Sequence, residues 1–250
     1  MNDDTNKKGK LTWTTSYSNI SVRQAEKILG FRIRTLRGIP VDRMLANINA
    51  NGTGIVADSD TVLKVKEKVF DNILDYLTIE GYPTEADPDF KESNINHLVY
   101  ATISPLLSDF IHRTGRSSIQ LRSEKEIVST DGETGGEEEF VVMDFISVEA
   151  ERFIFIVEAK RSSVGQAMKQ CLLAMKDAWD NNGGGTVYGF VTTGDDWRML
   201  SYNGSGFVIT ERFTVLFDGM MESKEKWMKE NTILVECVYA ALSNGGIVNA

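Results

Sequence analysis

The chain has 250 residues, of which 42% are hydrophobic and 25% are charged. This composition is typical of a globular protein with a sizeable core, and it excludes disordered, collagen-like and disulfide-stapled proteins. The formal net charge of −9 means that the molecule as a whole repels polyanions, so any contact with nucleic acid is expected to be local.

The amino terminus carries charges without an apolar segment behind them, and no apolar run approaches the length that spans a bilayer. We therefore expect no signal peptide, no membrane partner and an intracellular location, nuclear or cytoplasmic. Cys171 and Cys237 lie in apolar helical patterns, which predicts reduced cysteines in the core.

Residues 1–85 are predicted to form an N-terminal extension of mixed, mainly helical pattern without a chemical motif. A short capped helix is predicted over 21–29, a polar and turn-rich stretch over 47–54, and an amphipathic helix over 60–77. We expect this region to pack on the rest of the chain or to bridge to another chain, as a homodimer or with a partner protein.

Residues 86–250 are predicted to form one α/β domain. Hydrophobic periodicity and turn signals define its elements. In order, they are a helix over 92–111, strands over 118–128, 139–148 and 152–160, a helix over 164–181, a strand over 186–193, a hairpin over 198–210, a strand over 213–217 and a helix over 223–242. This order predicts an αβββαβ core, a central mixed sheet flanked by helices, with an added hairpin and a C-terminal helix.

The strand over 152–160 is apolar at its centre, which is typical of a strand buried on both faces, but it ends in Glu158, Ala159 and Lys160. Side chains alternate along a strand, so Glu158 and Lys160 share a face. The preceding strand carries Asp144 in an apolar run, and we expect the turn between the strands to bring Asp144 beside Glu158. Two buried carboxylates require a cation, and hard oxygen ligands favour Mg²⁺ or Mn²⁺. Lys160 is then expected to orient or deprotonate a water at that ion.

Asp144, thirteen intervening residues and the sequence Glu158-Ala159-Lys160 resemble the PD-(D/E)xK signature of the restriction-endonuclease-like nuclease superfamily. The resemblance covers residues 88–218, and the predicted order of elements is similar to the core of that fold. Segments 164–170 and 189–198 are most similar to fungal nuclease-like domains, including those related to Crinkler-type effectors.

The resemblance implies that an acid on the first core helix, Glu92, and a glutamine on the helix after the strand, Gln170 or Gln166, complete the site. The implied metal ligands are Asp144, Glu158, the Ala159 carbonyl and Glu92, and the implied activity is Mg²⁺-dependent hydrolysis of phosphodiester bonds in DNA, with RNA as an alternative substrate. The candidate contacts to the phosphate backbone are Arg113, Arg116, Arg122, Lys125 and Arg161.

Two alternatives stand beside this hypothesis. The ionisable groups at 144, 158 and 160 could form a structural ion pair, and the fold could serve as a catalytically weak or inactive module that binds nucleic acid or a partner protein. The acidic residues at 131, 133 and 137–139 alternate with glycines, a pattern that predicts a flexible charged loop rather than a metal site.

Overall fold

The computed structural model describes residues 13–51, 59–84, 86–147 and 150–247. Within these ranges the protein is a mixed α/β structure with seven α-helices and one nine-stranded sheet. The helices are α1 (Val22–Leu29), α2 (Val41–Asn51), α3 (Ser59–Glu80), α4 (Glu92–Thr114), α5 (Val164–Asn182), α6 (Lys224–Glu230) and α7 (Ile233–Asn244). The strands are β1 (Thr15–Ser16), β2 (Gly38–Ile39), β3 (Ile119–Val128), β4 (Thr134–Phe145), β5 (Glu151–Ala159), β6 (Val187–Thr192), β7 (Asp196–Tyr202), β8 (Phe207–Thr210) and β9 (Phe213–Thr214).

The predicted fold class is confirmed, because α4, β3, β4, β5, α5 and β6 follow one another in the αβββαβ order. The strand order is β1-β4-β5-β6-β7-β8-β2, with β3 also paired to β4 and β9 to β7. Strands β3, β4 and β5 form an antiparallel meander, whereas β5 and β6 are parallel and are joined through α5. The carboxyl end of β5 therefore lies in the middle of the sheet, next to the amino terminus of α5.

Two apolar layers cover the sheet. Helices α2, α3, α4, α6 and α7 contribute to the core on one face, and α1 and α5 contribute to the core on the other. Residues on β5 contribute to both layers, with Phe155 on the first side and Ile156 on the second. Both faces of β5 are thus buried, as its continuous apolar sequence predicts.

The region before residue 86 is part of this architecture. Strand β1 pairs with β4 and β2 pairs with β8, and α3 packs on α4. The turn-rich stretch predicted over 47–54 is helical up to Asn51, and its remainder lies outside the described residues, as does part of the turn predicted near residue 149.

The helix predicted over 223–242 is two helices, α6 and α7, separated at Asn231 and Thr232. Asn231 has a φ of −119° and a ψ of 11°, which are not helical values, and its side-chain amide donates to the Thr214 carbonyl. A side chain that bonds a neighbouring strand in this way competes with the continuation of a helix.

Strand β4 begins at Thr134, five residues before the predicted start. The prediction of a flexible loop is therefore wrong for residues 137–139, which lie in β4 and of which 137 and 138 pair with β3. The pairing is bent at Glu124, whose φ is +52°. Beyond this bend the β3–β4 hairpin packs on α5. Ile127 belongs to the core on the α5 face of the sheet, and Asn181 Nδ2 donates to the Val128 carbonyl.

Both cysteines are free and buried, as predicted for core residues. Of the helices in the described ranges, none combines the length and the hydropathy needed to cross a bilayer.

Candidate functional site

Two buried carboxyl groups meet where β4 passes the end of β5. Phe140 pairs with Val157, and Glu138 and Glu158 lie just beyond this pair, each with no exposed surface. All four of their carboxyl oxygens are buried, and none accepts a hydrogen bond of acceptable geometry from a donor that the structure describes. Such oxygens are costly to bury unless a proton or a cation neutralises them.

The electrostatics of the pair follow from this burial. Removal from water raises the pKa of Glu158 to about 7, although the nearby Lys160 ammonium acts in the opposite direction. Burial, followed by repulsion from Glu158, raises the pKa of Glu138 well above its usual value. Ionised carboxylates are acceptors only, so Glu138 and Glu158 hydrogen-bond to each other only when one of them carries a proton.

Lys160 connects this pair to two further acids. Its Nζ lies 2.8 Å from Glu92 Oε1, 2.9 Å from Glu139 Oε1 and 3.2 Å from Glu158 Oε1. Glu139 is held from the α4 side, because Asn96 Nδ2 donates to its other oxygen. Burial alone would lower the pKa of Lys160, but Glu158, Glu92 and Glu139 outweigh it and raise the pKa above its usual value. Lys160 is therefore an ammonium donor rather than a base.

A cavity of about 260 Å³, which we call the main cavity, opens beside Lys160. Gln166 and Gln170, one turn apart on α5, both line it together with Glu92. Gln166 is exposed, whereas Gln170 is 93% buried, since its relative exposure is 7%, and its Oε1 has no hydrogen-bond partner. The amino terminus of α5 adds partial positive charge to the same cavity.

The segment after β1 closes one side of the main cavity through Ser18. Lys169, buried in α5, donates to the carbonyls of Ser18 and Ile20, and burial lowers the pKa of this lysine. Tyr17 donates to Asp177 Oδ2 at 2.7 Å. The N-terminal region thus completes the wall of the site, a contribution that its sequence did not indicate.

Asp144 does not lie beside Glu158, and the expectation that these two share a cation is wrong. Asp144 pairs with Arg152 near the β4–β5 turn, so Glu158 is six residues further along β5, or about 20 Å at ~3.3 Å per residue. Asp144 Oδ2 accepts a hydrogen bond from Arg116 at 2.6 Å. Although burial opposes it, hydrogen bonds from Ser118 and Arg116 hold the pKa of Asp144 below its usual value.

Asp144 and Glu158 are far apart because β4 and β5 run in opposite directions in the meander. In an antiparallel pair joined by a short turn, the end of the second strand lies beside the start of the first. The acid that faces Glu158 therefore had to come from the beginning of β4, where residues 137–139 precede the apolar run. Glu138 and Glu139 were not identified as site residues from the sequence, because the glycines before them predict a loop. The pattern that indicates a strand position for them is that they directly precede the apolar run of β4.

The five basic side chains predicted to contact phosphates have partners within the chain. These partners are Asp109 for Arg113, Asp144 and the Leu242 carbonyl for Arg116, the Phe145 ring for Arg122, Glu151 for Lys125, and the Thr84 and Asp87 carbonyls for Arg161. Of the five, Arg161 lines the main cavity, whereas Arg116 lies at the Asp144 end of β4.

The donor set fits a hard divalent cation. No group of three or more His, Cys, Asp or Glu side chains with metal-holding geometry occurs in the described part of the chain. Mg²⁺, however, is commonly held by one or two carboxylates with water and phosphate oxygens in the remaining positions. Glu138 and Glu158 supply two such carboxylates, and Ala159 follows Glu158 at the same strand end.

Comparison with known protein families gives no matching family model. A search of curated proteins also gives no match. The geometry of the site therefore carries the functional argument.

Proposed function

We propose that the protein is a metal-dependent nuclease that hydrolyses phosphodiester bonds in nucleic acid, with DNA as the first substrate to test and RNA as the alternative. The observation that carries this proposal is the pair of buried carboxyls, Glu138 and Glu158, whose oxygens accept no well-formed hydrogen bond from a described donor. Lys160, which lies 3.2 Å from Glu158 Oε1, separates the pair from a polar cavity that it lines. The restriction-endonuclease-like resemblance supports it, with Glu138 taking the place first expected for Asp144.

In this proposal Glu138 and Glu158 hold Mg²⁺ or Mn²⁺, with the Ala159 carbonyl as a further ligand. When bound, the cation neutralises the carboxylates, polarises the phosphate and lowers the pKa of a water. Lys160 Nζ donates to the phosphate or to the attacking water and stabilises the developing negative charge. Glu92 orients Lys160 through its 2.8 Å contact, and Gln170 offers its amide to a phosphate oxygen.

The second candidate is a binding module without catalysis. One observation favours it: Lys160 already contacts three carboxylates, as expected of a structural ion cluster. Such a module would bind nucleic acid or a partner protein equally well in EDTA, whereas a nuclease cleaves only when the metal is supplied.

The test compares the purified full chain with Glu158→Gln and Lys160→Met on plasmid DNA, linear DNA and RNA, with Mg²⁺, Mn²⁺ or EDTA. We expect cleavage by the wild type with metal, and a loss of about 100-fold or more in each variant. Wild-type cleavage in EDTA, or cleavage unaffected by either substitution, would overturn the proposal.

Asp144→Asn is the matched control, since it changes an acid of the same strand at the opposite end from the site. We expect its activity to stay within about threefold of the wild type, because Asp144 lies about 20 Å from Glu158 and the asparagine can still accept the hydrogen bond from Arg116. A severe loss of activity in Asp144→Asn, together with wild-type activity in Glu138→Gln, would favour a metal site at Asp144 over the proposed site at Glu138 and Glu158.

A further inference from the structure

A second cavity of about 270 Å³ adjoins the main cavity, and we call it the side cavity. The two share Arg161 and Ser162 as lining residues, so they lie on either side of these two residues. Its walls come from the segment before α4, the first turn of α5 and the turn between β6 and β7. Its volume lies near the lower end of small-molecule pockets.

The inner wall of the side cavity is apolar. Phe90, Ile95 and Val164 line it, and the first two are almost completely buried. Arg161 Nη2 donates to carbonyls of the segment before α4, including that of Asp87 at 2.7 Å. Arg161 therefore lies between the two cavities and connects the segment before α4 to the end of β5.

The acids of the side cavity are countered within the wall. Asp196 Oδ1 accepts a hydrogen bond from Thr214 Oγ1, and Asp196 Oδ2 lies 3.3 Å from Arg212 Nη1. Asp195 Oδ1 accepts from Thr193 Oγ1. The Arg212 side chain is 55% exposed at the rim, where its guanidinium can also face a phosphate. The recess thus combines apolar side chains with two arginines and two aspartates, and Arg212 is the exposed cation at its rim.

The rest of the molecule disfavours a long duplex. The net charge is −9, and the basic cluster between α4 and β3 is engaged in internal contacts, such as those of Arg113 and Arg116. Duplex binding without sequence readout depends on neutralising many phosphates. Single strands, by contrast, gain affinity from individual bases placed against aromatic and apolar side chains.

We propose that the side cavity receives one unstacked base of single-stranded nucleic acid, adjacent to the nucleotide whose phosphate lies at Lys160. This inference rests on the proposed function for its placement and makes single-stranded DNA or RNA the preferred substrate class. The base would pack on Val164, above the buried Phe90, and the following phosphate would lie near Arg212.

The test measures fluorescence anisotropy of labelled 12-mers in EDTA: oligo-dT, oligo-rU and a DNA duplex of the same length. We expect the wild type to bind at least one of the single strands about tenfold more tightly than the duplex, the factor typical of one stacked base. Val164→Gln narrows the recess without adding charge, and Val164→Glu adds a negative charge that repels the nucleic acid. Each substitution should remove most of the preference for single strands. The oligo-dT and oligo-rU arms distinguish DNA from RNA.

Val22→Gln and Val22→Glu are the matched controls, because Val22 is also a valine at the first residue of a helix, but on the exposed surface of α1. They should bind as the wild type does. A duplex bound as tightly as both single strands, no binding of any probe, or an unchanged preference in the Val164 variants would overturn the inference.

Hydrolysis of bis(4-nitrophenyl) phosphate with Mn²⁺ separates this inference from the proposed function. We expect Val164→Gln, which leaves the charge at the amino terminus of α5 unchanged, to hydrolyse this small diester at the wild-type rate, since it has no flanking nucleotide to occupy the side cavity. If single strands bind preferentially but no diester is hydrolysed, the base recess stands and the nuclease proposal fails. If the diester is hydrolysed without any single-strand preference, the nuclease proposal stands and the recess fails.

Discussion

Glu138 on β4 and Glu158 on β5 lie against each other with no exposed surface, and the Glu158 carboxylate raises the energetic cost of ionising Glu138. A protein gains nothing in stability from such a pair, because isosteric neutral side chains would fill the same space without repulsion. Two buried, mutually repelling carboxyls are the kind of arrangement that functional sites retain.

We therefore predict that Glu138→Gln makes the protein more stable and inactive. At pH 8 the free energy of unfolding should rise by about 1–2 kcal/mol, since a buried charge is removed and the new amide can donate to Glu158. Chemical denaturation and a cleavage assay on one preparation check both effects. Glu126→Gln, at an exposed position of β3, should change neither the free energy of unfolding nor the cleavage activity. An inactive variant that is strongly destabilised would instead indicate a structural role for Glu138.

Stability should depend on pH through Glu158. Its pKa rises from 4.5 unfolded to about 7 in the folded chain, so the folded state binds more protons between these values. Through Glu158 alone, the free energy of unfolding should then fall by about 3 kcal/mol as pH rises from 4.5 to 7. Glu138, whose pKa is also raised, acts in the same direction. Asp144, whose pKa is lowered, contributes stability that is already present above pH 4, so it adds no slope in this window.

Mg²⁺ should reverse the loss of folding stability that rising pH causes. Cation binding requires deprotonated carboxylates and stabilises the folded state by mass action, so millimolar Mg²⁺ should raise Tm at pH 8 and have little effect at pH 5. Thermal scans of the wild type and Glu158→Gln provide the comparison, and the variant should show a flatter pH profile and a smaller Mg²⁺ effect. Equal Mg²⁺ shifts in both proteins would mean that the ion binds elsewhere.

The sequence predicted the architecture better than the pairing of the site acids. The apolar pattern of β5 and its polar end identified Glu158 and Lys160, because strand periodicity is a local property. Which acid of β4 faces them depends on the register of two strands and on the bend at Glu124, and both are tertiary. The N-terminal wall at Ser18 is likewise tertiary, since the buried Lys169 that fixes it is about 150 residues away along the chain.

Replacing Lys160 should be destabilising in a pH-dependent way. Lys160→Met leaves Glu92, Glu139 and Glu158 without their shared cation, and removal of one partner from a largely buried cluster costs about 3 kcal/mol. The cost should be present at pH 8 and smaller at pH 5, where Glu158 is protonated. Lys68→Met, at an exposed position of α3, should cost less than about 0.5 kcal/mol at either pH. A pH-independent loss would show that the methylene packing of Lys160, not its charge, stabilises the fold.

The N-terminal wall of the site should depend on Gly136. A Cβ at this position would lie 2.5 Å from Tyr17 Cδ2, so Gly136→Ala must displace the Tyr17 ring and weaken its hydrogen bond to Asp177. We expect a loss of about 1–3 kcal/mol, the usual cost of overpacking, together with faster proteolysis around residues 17–21. Because Ser18 follows Tyr17 and lines the main cavity, oligonucleotide affinity should also fall. Gly206→Ala is the control, since a Cβ there meets nothing within 4 Å; if both variants lose affinity equally, the N-terminal segment does not contribute to the site.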